Sequence, residues 1–349
     1  MSASSFVSTK KAAPSRGRHL LLVGSLVLIT LMGCSKKSEE SAPKPVRKVT
    51  MGIQVSPAMT LVMVAKDKNF FFEEGVDVEI KEFTAGKFAL QAFLSGAIDF
   101  AVSGEVPVSL ATLQGNKIRV VAQVVEKTVN EVRVVALKDA EMTDPKVYFK
   151  TKKRKLATSF GGGPEFFTHN FLRHIQISAN EIEIISQKPE DMPAALESGS
   201  VDAISIFDPF AFIAEKRLGS KVTTFADSTL YSEFYVLNAR PEQVETNPDV
   251  IEALLRGLLR AGNFIEENPE AAKQIMQGYT KLDKDVIDGI WGNFSFKPSL
   301  VQKLIDYWNA QAIWAKETGK VTPETQIPDF RNVVDDRFLK KLKPEAVKL

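Results

Sequence analysis

From about residue 48 onward the chain alternates between two hydrophobic rhythms. Val76, Val78 and Ile80 are interleaved with Asp77, Glu79 and Lys81, the period of two that marks a half-buried strand. Residues 87–94 read as a helix, and Gly96 follows where a left-handed residue would close it. Residues 98–102 predict the next strand. The same succession then recurs: a strand at 181–185, a helix at 192–197, Gly199 as its cap and a strand at 201–207. Leu94-Ser95-Gly96-Ala97-Ile98-Asp99 lines up with Glu197-Ser198-Gly199-Ser200-Val201-Asp202, an offset of 103 residues (202 less 99). Each copy also has a strand and helix upstream. Residues 50–55 enter Ser56-Pro57-Ala58 and a helix running to about Phe72 and stopping at Gly75. Residues 156–159 enter Gly161-Gly162-Gly163-Pro164 and a helix running to about His174. Pro57 and Pro164 suit a first helical turn, where a missing N–H costs nothing. Each half therefore predicts strand–helix–strand–helix–strand, a mostly parallel sheet flanked by helices.

Beyond the second copy the rhythm becomes helical. A short strand at 234–237 precedes residues 249–266, where Ile251, Leu254, Leu255, Leu258 and Leu259 form one stripe. Helical patterns continue at 271–278, 286–292 and 298–318. This C-terminal third is expected to return and pack on the first half. Phe70-Phe71-Phe72 is expected to plug the core beneath the first helix, although three adjacent rings cannot all face one way.

The N-terminus follows different rules. Residues 20–31 are apolar except for Gly24, Ser25 and Thr30. Lys10, Lys11, Arg16 and Arg18 come before them, and no acid occurs in the first 33 residues. A basic region followed by an apolar stretch too short for the ~20 residues of a membrane helix is the layout of a secretory signal. It ends in Leu31-Met32-Gly33-Cys34. Removing residues 1–33 leaves 316 of the 349 residues and, with four basic side chains lost, moves the formal charge from +2 to −2. That balance gives no support to a nucleic-acid partner. Cys34 is the sole cysteine, which excludes an intrachain disulfide and a cysteine-ligated metal site. Residues 34–48 are polar, contain Pro43 and Pro45, and read as a tether.

Candidate chemistry lies at the strand ends, because open α/β sheets bind ligands beyond the carboxyl ends of their strands. Five turns fall there, offering Ser56 and Pro57; Thr84, Gly86 and Lys87; Ser103, Gly104 and Glu105; Phe160, Gly161, Gly162 and Gly163; and Phe207 with Asp208. Helices starting in small residues would turn free N–H groups towards a ligand; glycines that merely make tight turns are the alternative. Gly162 is expected to need a positive φ or a close approach to the solute. Glu105 and Asp208 would converge on one solute and accept hydrogen bonds from an amine, unless Asp208 only caps the helix that follows. The Gly161–Gly163 run lacks both the phosphate-loop and the dinucleotide spacing. His169 and His174, five apart, do not share a helix face, so no metal site is expected. No catalytic elbow or triad can be read, and neither an enzyme activity nor a cofactor is expected.

Several segments together resemble a known family. Lys68-Asn69-Phe70-Phe71-Phe72-Glu73-Glu74-Gly75-Val76-Asp77-Val78, the run from Ala89 to Asp99, Ser103-Gly104-Glu105-Val106-Pro107, and Ala195 to Ala203 followed by Asp208-Pro209 resemble the nitrate/sulfonate/taurine-type solute-binding proteins of ABC importers, a group that includes thiamine-precursor binders. The Leu-Met-Gly-Cys sequence resembles the lipobox of bacterial lipoproteins, with Cys34 as the lipidated residue. The resemblance implies an α/β, two-lobed periplasmic-binding-protein fold of type II. It divides the chain into a signal peptide (1–33), a tether (34–48), the first part of lobe I (49–138), lobe II (139–225) and the return of lobe I with its C-terminal helices (226–349). Chain crossings are expected near 138–150 and 224–232. It further implies a monomeric, membrane-held lipoprotein on the extracytoplasmic side that hands a small anion or zwitterion to a permease and ATPase. Two alternatives stay open: a pyrimidine-precursor binder or biosynthetic enzyme of the same fold, and a sensor lipoprotein without transport. Two departures bear on the ligand. Lys87 is the one basic side chain in the turns, and the cysteine-rich motif of some pyrimidine-precursor binders is absent.

Overall fold

The computed structural model describes residues 46–127, 131–139, 143–178 and 180–349. The segment read as a signal sequence, Cys34 and most of the segment read as a tether lie outside them. Among the described residues, eleven of the thirteen strands form the two main sheets. The first is built from β1 (Arg47–Gln54), β2 (Val76–Phe83), β3 (Phe100–Gly104), β4 (Arg119–Lys127), β10 (Phe234–Ala239) and β11 (Phe294–Ser295). The second contains β5 (Arg133–Leu137), β6 (Arg154–Thr158), β7 (Ile182–Ser186), β8 (Ala203–Ile206) and β9 (Val222–Phe225). Their orders are β11-β4-β10-β3-β1-β2 and β7-β6-β8-β5-β9.

The expected repeat is present and its chemistry is mechanical. β1 pairs in parallel with β2 and β3, as β6 does with β7 and β8. Gly96 and Gly199 both adopt left-handed backbone, at φ 81° and 72°, where a side chain would be strained. The repeated aspartates fasten each sheet at its first strand. Asp99 Oδ2 accepts from the Thr50 N–H and hydroxyl, both at 2.8 Å. Asp202 Oδ2 accepts from the Lys155 N–H at 2.9 Å.

Three expectations are corrected. The crossing placed near 138 comes earlier: residues 133–137 pair with β8 and β9 of the second sheet, so the chain changes sheets between Lys127 and Arg133. The run from Val132 to Leu137 is apolar enough to suit either sheet, and pairing decides. The single helix expected from Pro57 to Phe72 is broken. A short turn at Pro57–Met59 leads into helix Thr60–Asp67, and Asn69, left-handed at φ 57°, separates this from helix Phe70–Glu73. Phe71 is then buried while Phe72 stands half exposed. Finally, β1 starts at Arg47, inside the segment read as tether.

β10 is longer than expected and sits in the middle of its sheet, antiparallel to both β3 and β4. Every residue of it is buried. β4 carries Val120, Val121, Ala122, Val124 and Val125, all fully buried, as expected of a strand covered on both faces. The Pro248–Glu267 helix, with Ile251, Leu254, Leu255 and Leu258 fully inside, packs on the first sheet's helices. No helix among the described residues is long and apolar enough to cross a membrane.

Candidate functional site

The carboxyl ends of β1, β3, β6 and β8 converge, and a cleft lies between them. At its floor is a cavity of about 40 Å³, lined from the first sheet by Gln54, Gly86, Lys87, Gly104, Glu233 and Tyr235, and from the second by Phe160 to Pro164 and Phe207. It opens into a mouth of about 400 Å³, bordered by Thr84, Lys87 and Phe88 on one side and Ser159 and Ser186 to Glu190 on the other. Ala85, Lys87, Ser159 and Pro189 border both, so floor and mouth adjoin. The floor has room for about one small polar group, and the mouth falls within the ~300–1,000 Å³ typical of ligand pockets.

The walls touch. Lys87 Nζ donates to the Phe160 carbonyl at 3.0 Å, and Lys320 pairs with Glu165 at 2.6 Å. Asn293 Nδ2 reaches Asp208 Oδ2 at 2.7 Å. A close approach lies at Gly163, where an added Cβ would sit 2.5 Å from the Tyr231 hydroxyl and 2.6 Å from Glu233 Oε1. Gly162, by contrast, has extended backbone and would meet nothing nearer than Pro164 Cδ at 3.7 Å. The positive φ belongs to Gly161 (78°). The three glycines thus divide the duties expected of Gly162.

Of the sequence-predicted residues, Gly86, Lys87, Gly104, Phe160, Gly161, Gly162, Gly163 and Phe207 line the floor, and Thr84 lies at the mouth. Ser56, Pro57 and Ser103 are buried and line neither space; the Ser103 hydroxyl accepts from Asn238 Nδ2 at 3.0 Å. Two helix-start N–H groups expected to be free already have acceptors: Gly86 N–H donates to Gln54 Oε1 and Gly161 N–H to Glu165 Oε2. A buried orphan donor is costly, so the chain caps its own helix starts.

Glu105 and Asp208 do not meet in the cleft. Glu105 is fully buried behind the floor. It accepts from the Tyr231 hydroxyl at 2.5 Å, the Phe234 N–H at 3.0 Å and Gln311 Nε2 at 3.0 Å. Burial, and next the charge of Glu233, push its carboxyl up to about 8. Asp208 is paired with Arg133 at 3.0 Å and accepts from the Phe212 N–H at 3.1 Å, which is the capping role weighed for it. Both carboxylates accept from donors that the protein itself supplies, so neither remains for a solute.

Sequence reading missed the buried charges beside the two crossings. Lys127 ends β4 and is buried among two carboxylates and two aromatic rings. It pairs with Glu131 on the first crossing and Glu233 on the second, each at 2.6 Å, and its Nζ lies 4.9 Å from the rings of both Phe207 and Tyr235. The Lys127 N–H also donates to the Glu233 carbonyl at 2.9 Å. Its two carboxylates raise the Lys127 ammonium well above its usual range although burial opposes this. Glu131 is pushed up to about 8 by burial, against the pull of Lys127. A detectable signal existed: Lys127, Glu131 and Glu233 interrupt apolar runs, where an unpaired charge is not tolerated. Among the described residues no group of three His, Cys, Asp or Glu could hold a metal ion. His169 stands 3.6 Å from Glu317, and His174 is exposed 3.9 Å from Asp227.

Comparison with known proteins identifies the fold and family. A Bacillus subtilis (strain 168) protein named for binding aliphatic sulfonates is 26% identical over 92% of this chain and 96% of its own length. The crystal structure of the periplasmic aliphatic sulphonate binding protein SsuA from Escherichia coli covers 83% of this chain and 97% of its own, at 21% identity and a TM-score of 0.70. That of the periplasmic nitrate-binding protein NrtA from Synechocystis PCC 6803 covers 87% and 90%, at 16% identity and a TM-score of 0.71. These two establish the shared two-lobed fold. The NMT1/THI5 like family profile matches residues 56–272, well over half of the chain, and the chain belongs to that family.

Proposed function

We propose that this protein is the solute-binding component of an ABC importer, capturing a small organic anion or zwitterion of the sulfonate, taurine and nitrate class between its lobes and delivering it to a permease and ATPase. One observation carries the reading: a ligand-sized space is enclosed between the carboxyl ends of two sheets joined by only two crossings. Such a body opens and closes by hinge bending, and a solute that touches both walls favours the closed form by its differential affinity. The named binding roles of the relatives support the solute class. No bond-making chemistry is assigned. Lipidation at Cys34 would hold the mature monomer at the membrane outside the cytoplasm; Cys34→Ala should leave it uncut or release it, and membrane retention of that variant equal to wild type would refute the anchor.

A thermal-shift panel of taurine, alkanesulfonates, nitrate, aromatic acids and pyrimidines tests the transport reading. A ligand at a hundred times its Kd should add ~2.7 kcal/mol. Silence across the panel with ligand-free protein would favour a sensor that has lost transport. A shift with pyrimidines alone would favour the precursor-binding alternative.

A further inference from the structure

We propose that Glu233 is the recognition residue for a cationic nitrogen on the solute, so that the cleft selects amino-sulfonate-type zwitterions over the matching anions; this rests on the transport reading above. Glu233 is buried, yet its two oxygens face different surroundings. Oε2 is held by Lys127 at 2.6 Å. Oε1 has no protein donor among the described residues and borders the 40 Å³ cavity. It would lie 2.6 Å from a Cβ at Gly163 and 3.4 Å from one at Gly104. Both positions lack that carbon, so the carboxylate reaches the cavity from between two helix starts. Glu233 is thus fixed by one oxygen and presents the other.

The acceptor left open at this floor favours a donor-bearing cation. Glu131 and Glu233 share the one lysine, Lys127, each at 2.6 Å. Arg133 is engaged by Asp208 and Glu215. Burial holds Glu105 and Glu131 towards their neutral forms, so the carboxylate oxygen that meets the cavity is Oε1 of Glu233; the positive helix starts at Gly104 and Gly163 oppose its charge in part. Another bare anion here would add to the repulsion, whereas an ammonium would relieve it and fill a space of its size. The mouth has the opposite character: Lys87 and the exposed Lys188 border it, with Glu190 as the one acid. A zwitterion therefore fits in one orientation, nitrogen inward on Glu233 and acid group outward by Lys87 and Lys188.

Calorimetry on the mature wild-type protein with matched pairs tests this: taurine against ethanesulfonate, and 3-aminopropanesulfonate against propanesulfonate. The amine should strengthen binding about tenfold or more, one decade being ~1.4 kcal/mol. Glu233→Gln should lose most of that preference, while Lys188→Gln should weaken both members of a pair alike. The wild-type pairs decide the matter even if Glu233→Gln folds poorly. Sulfonates that bind as tightly as, or more tightly than, their amino partners overturn the role of Glu233 and leave the transport reading standing. Silence of all four compounds, with the wider panel silent too, overturns both.

Discussion

The two lobes use one turn and fasten it differently. In each, a Ser-Gly turn ends in an aspartate that holds the first strand, and an arginine braces the turn. In the second lobe that arginine is local. Arg154 starts β6, is almost fully buried against the Tyr148 ring at 3.9 Å, and pairs with Asp139 at 2.7 Å and Asp202 at 3.6 Å. In the first lobe it comes from afar. Arg240 lies just past β10 and donates to the carbonyls of Phe93 at 3.1 Å, Asp99 at 3.4 Å and Ile98. One brace is charge against charge within a contiguous segment; the other is charge against backbone, delivered more than a hundred residues later. The lobes should therefore respond oppositely to pH. Glu105 in the first lobe is raised to about 8, whereas Asp202 in the second is held below its usual range. There burial opposes the lowering, and the Lys155 N–H with Lys152 and Arg154 outweighs it.

The sharpest way to break the comparison is at the point where the lobes meet. Gly163→Val places carbon on Tyr231 and Glu233, an overpacking of about 1–3 kcal/mol that should hold the lobes apart and weaken binding about tenfold to a hundredfold. Gly162→Val should stay near wild type. Small-angle scattering and calorimetry on the two variants check this, and equal behaviour would remove Gly163 from closure. Next come the braces. Arg154→Met removes a buried guanidinium from two part-exposed carboxylates and the Tyr148 carbonyl and should cost about 1.5–3 kcal/mol, the charged partners adding to the loss. Arg240→Met strands carbonyls only and should cost about 1–3 kcal/mol. Urea midpoints of the two variants should rank in that order. Asp99→Ala and Asp202→Ala should each cost ~1–3 kcal/mol; hydrogen exchange should localise each loss to its own lobe, and a loss shared by both lobes would contradict their independence.

The smallest effect sharpens the pH contrast. Folded Glu105 binds its proton more tightly than the unfolded chain does, so its contribution is present at low pH and fades between 4.5 and about 8. Asp202 acts in reverse, losing its contribution as pH falls through the range below 3.8. Trp291, Trp308 and Trp314, the three tryptophans, all lie in the return segment of the first lobe. Their unfolding signal should shift to lower temperature from pH 5 to pH 8.5, and Glu105→Gln should flatten that slope. An unchanged slope in the variant would assign the dependence elsewhere.

The repeat, its glycine caps and most cleft-lining turns were legible because they depend on local chemistry: period-two alternation, left-handed glycines and small residues at helix starts. What escaped depends on partners distant in sequence. Residues 133–137 fit either sheet, and only pairing with β8 and β9 places them. β10 reads as a brief apolar stretch, and nothing local reveals that β3 and β4 enclose it. Glu105 reads as a cleft carboxylate until Tyr231 and Gln311 arrive from 126 and 206 residues away. Lys127 and Glu233 carry meaning only as a pair.

The central place of β10 also sets an order of assembly. The first lobe comes first in the chain but cannot complete its sheet, because β3 and β4 are joined only through a strand at residues 234–239. The second lobe needs nothing beyond residues 133–225 for its own sheet. Closing long-range pairings is the slow step of β assembly, so the later-made lobe should mature first and the earlier one wait, its strand edges unpaired, for the chain to come back. Pulse-labelled hydrogen exchange during refolding should see β6 and β8 protected before β3 and β4; the reverse order would contradict it. A newly made chain is thus kept loose at its leading end until nearly seven-tenths of it has emerged.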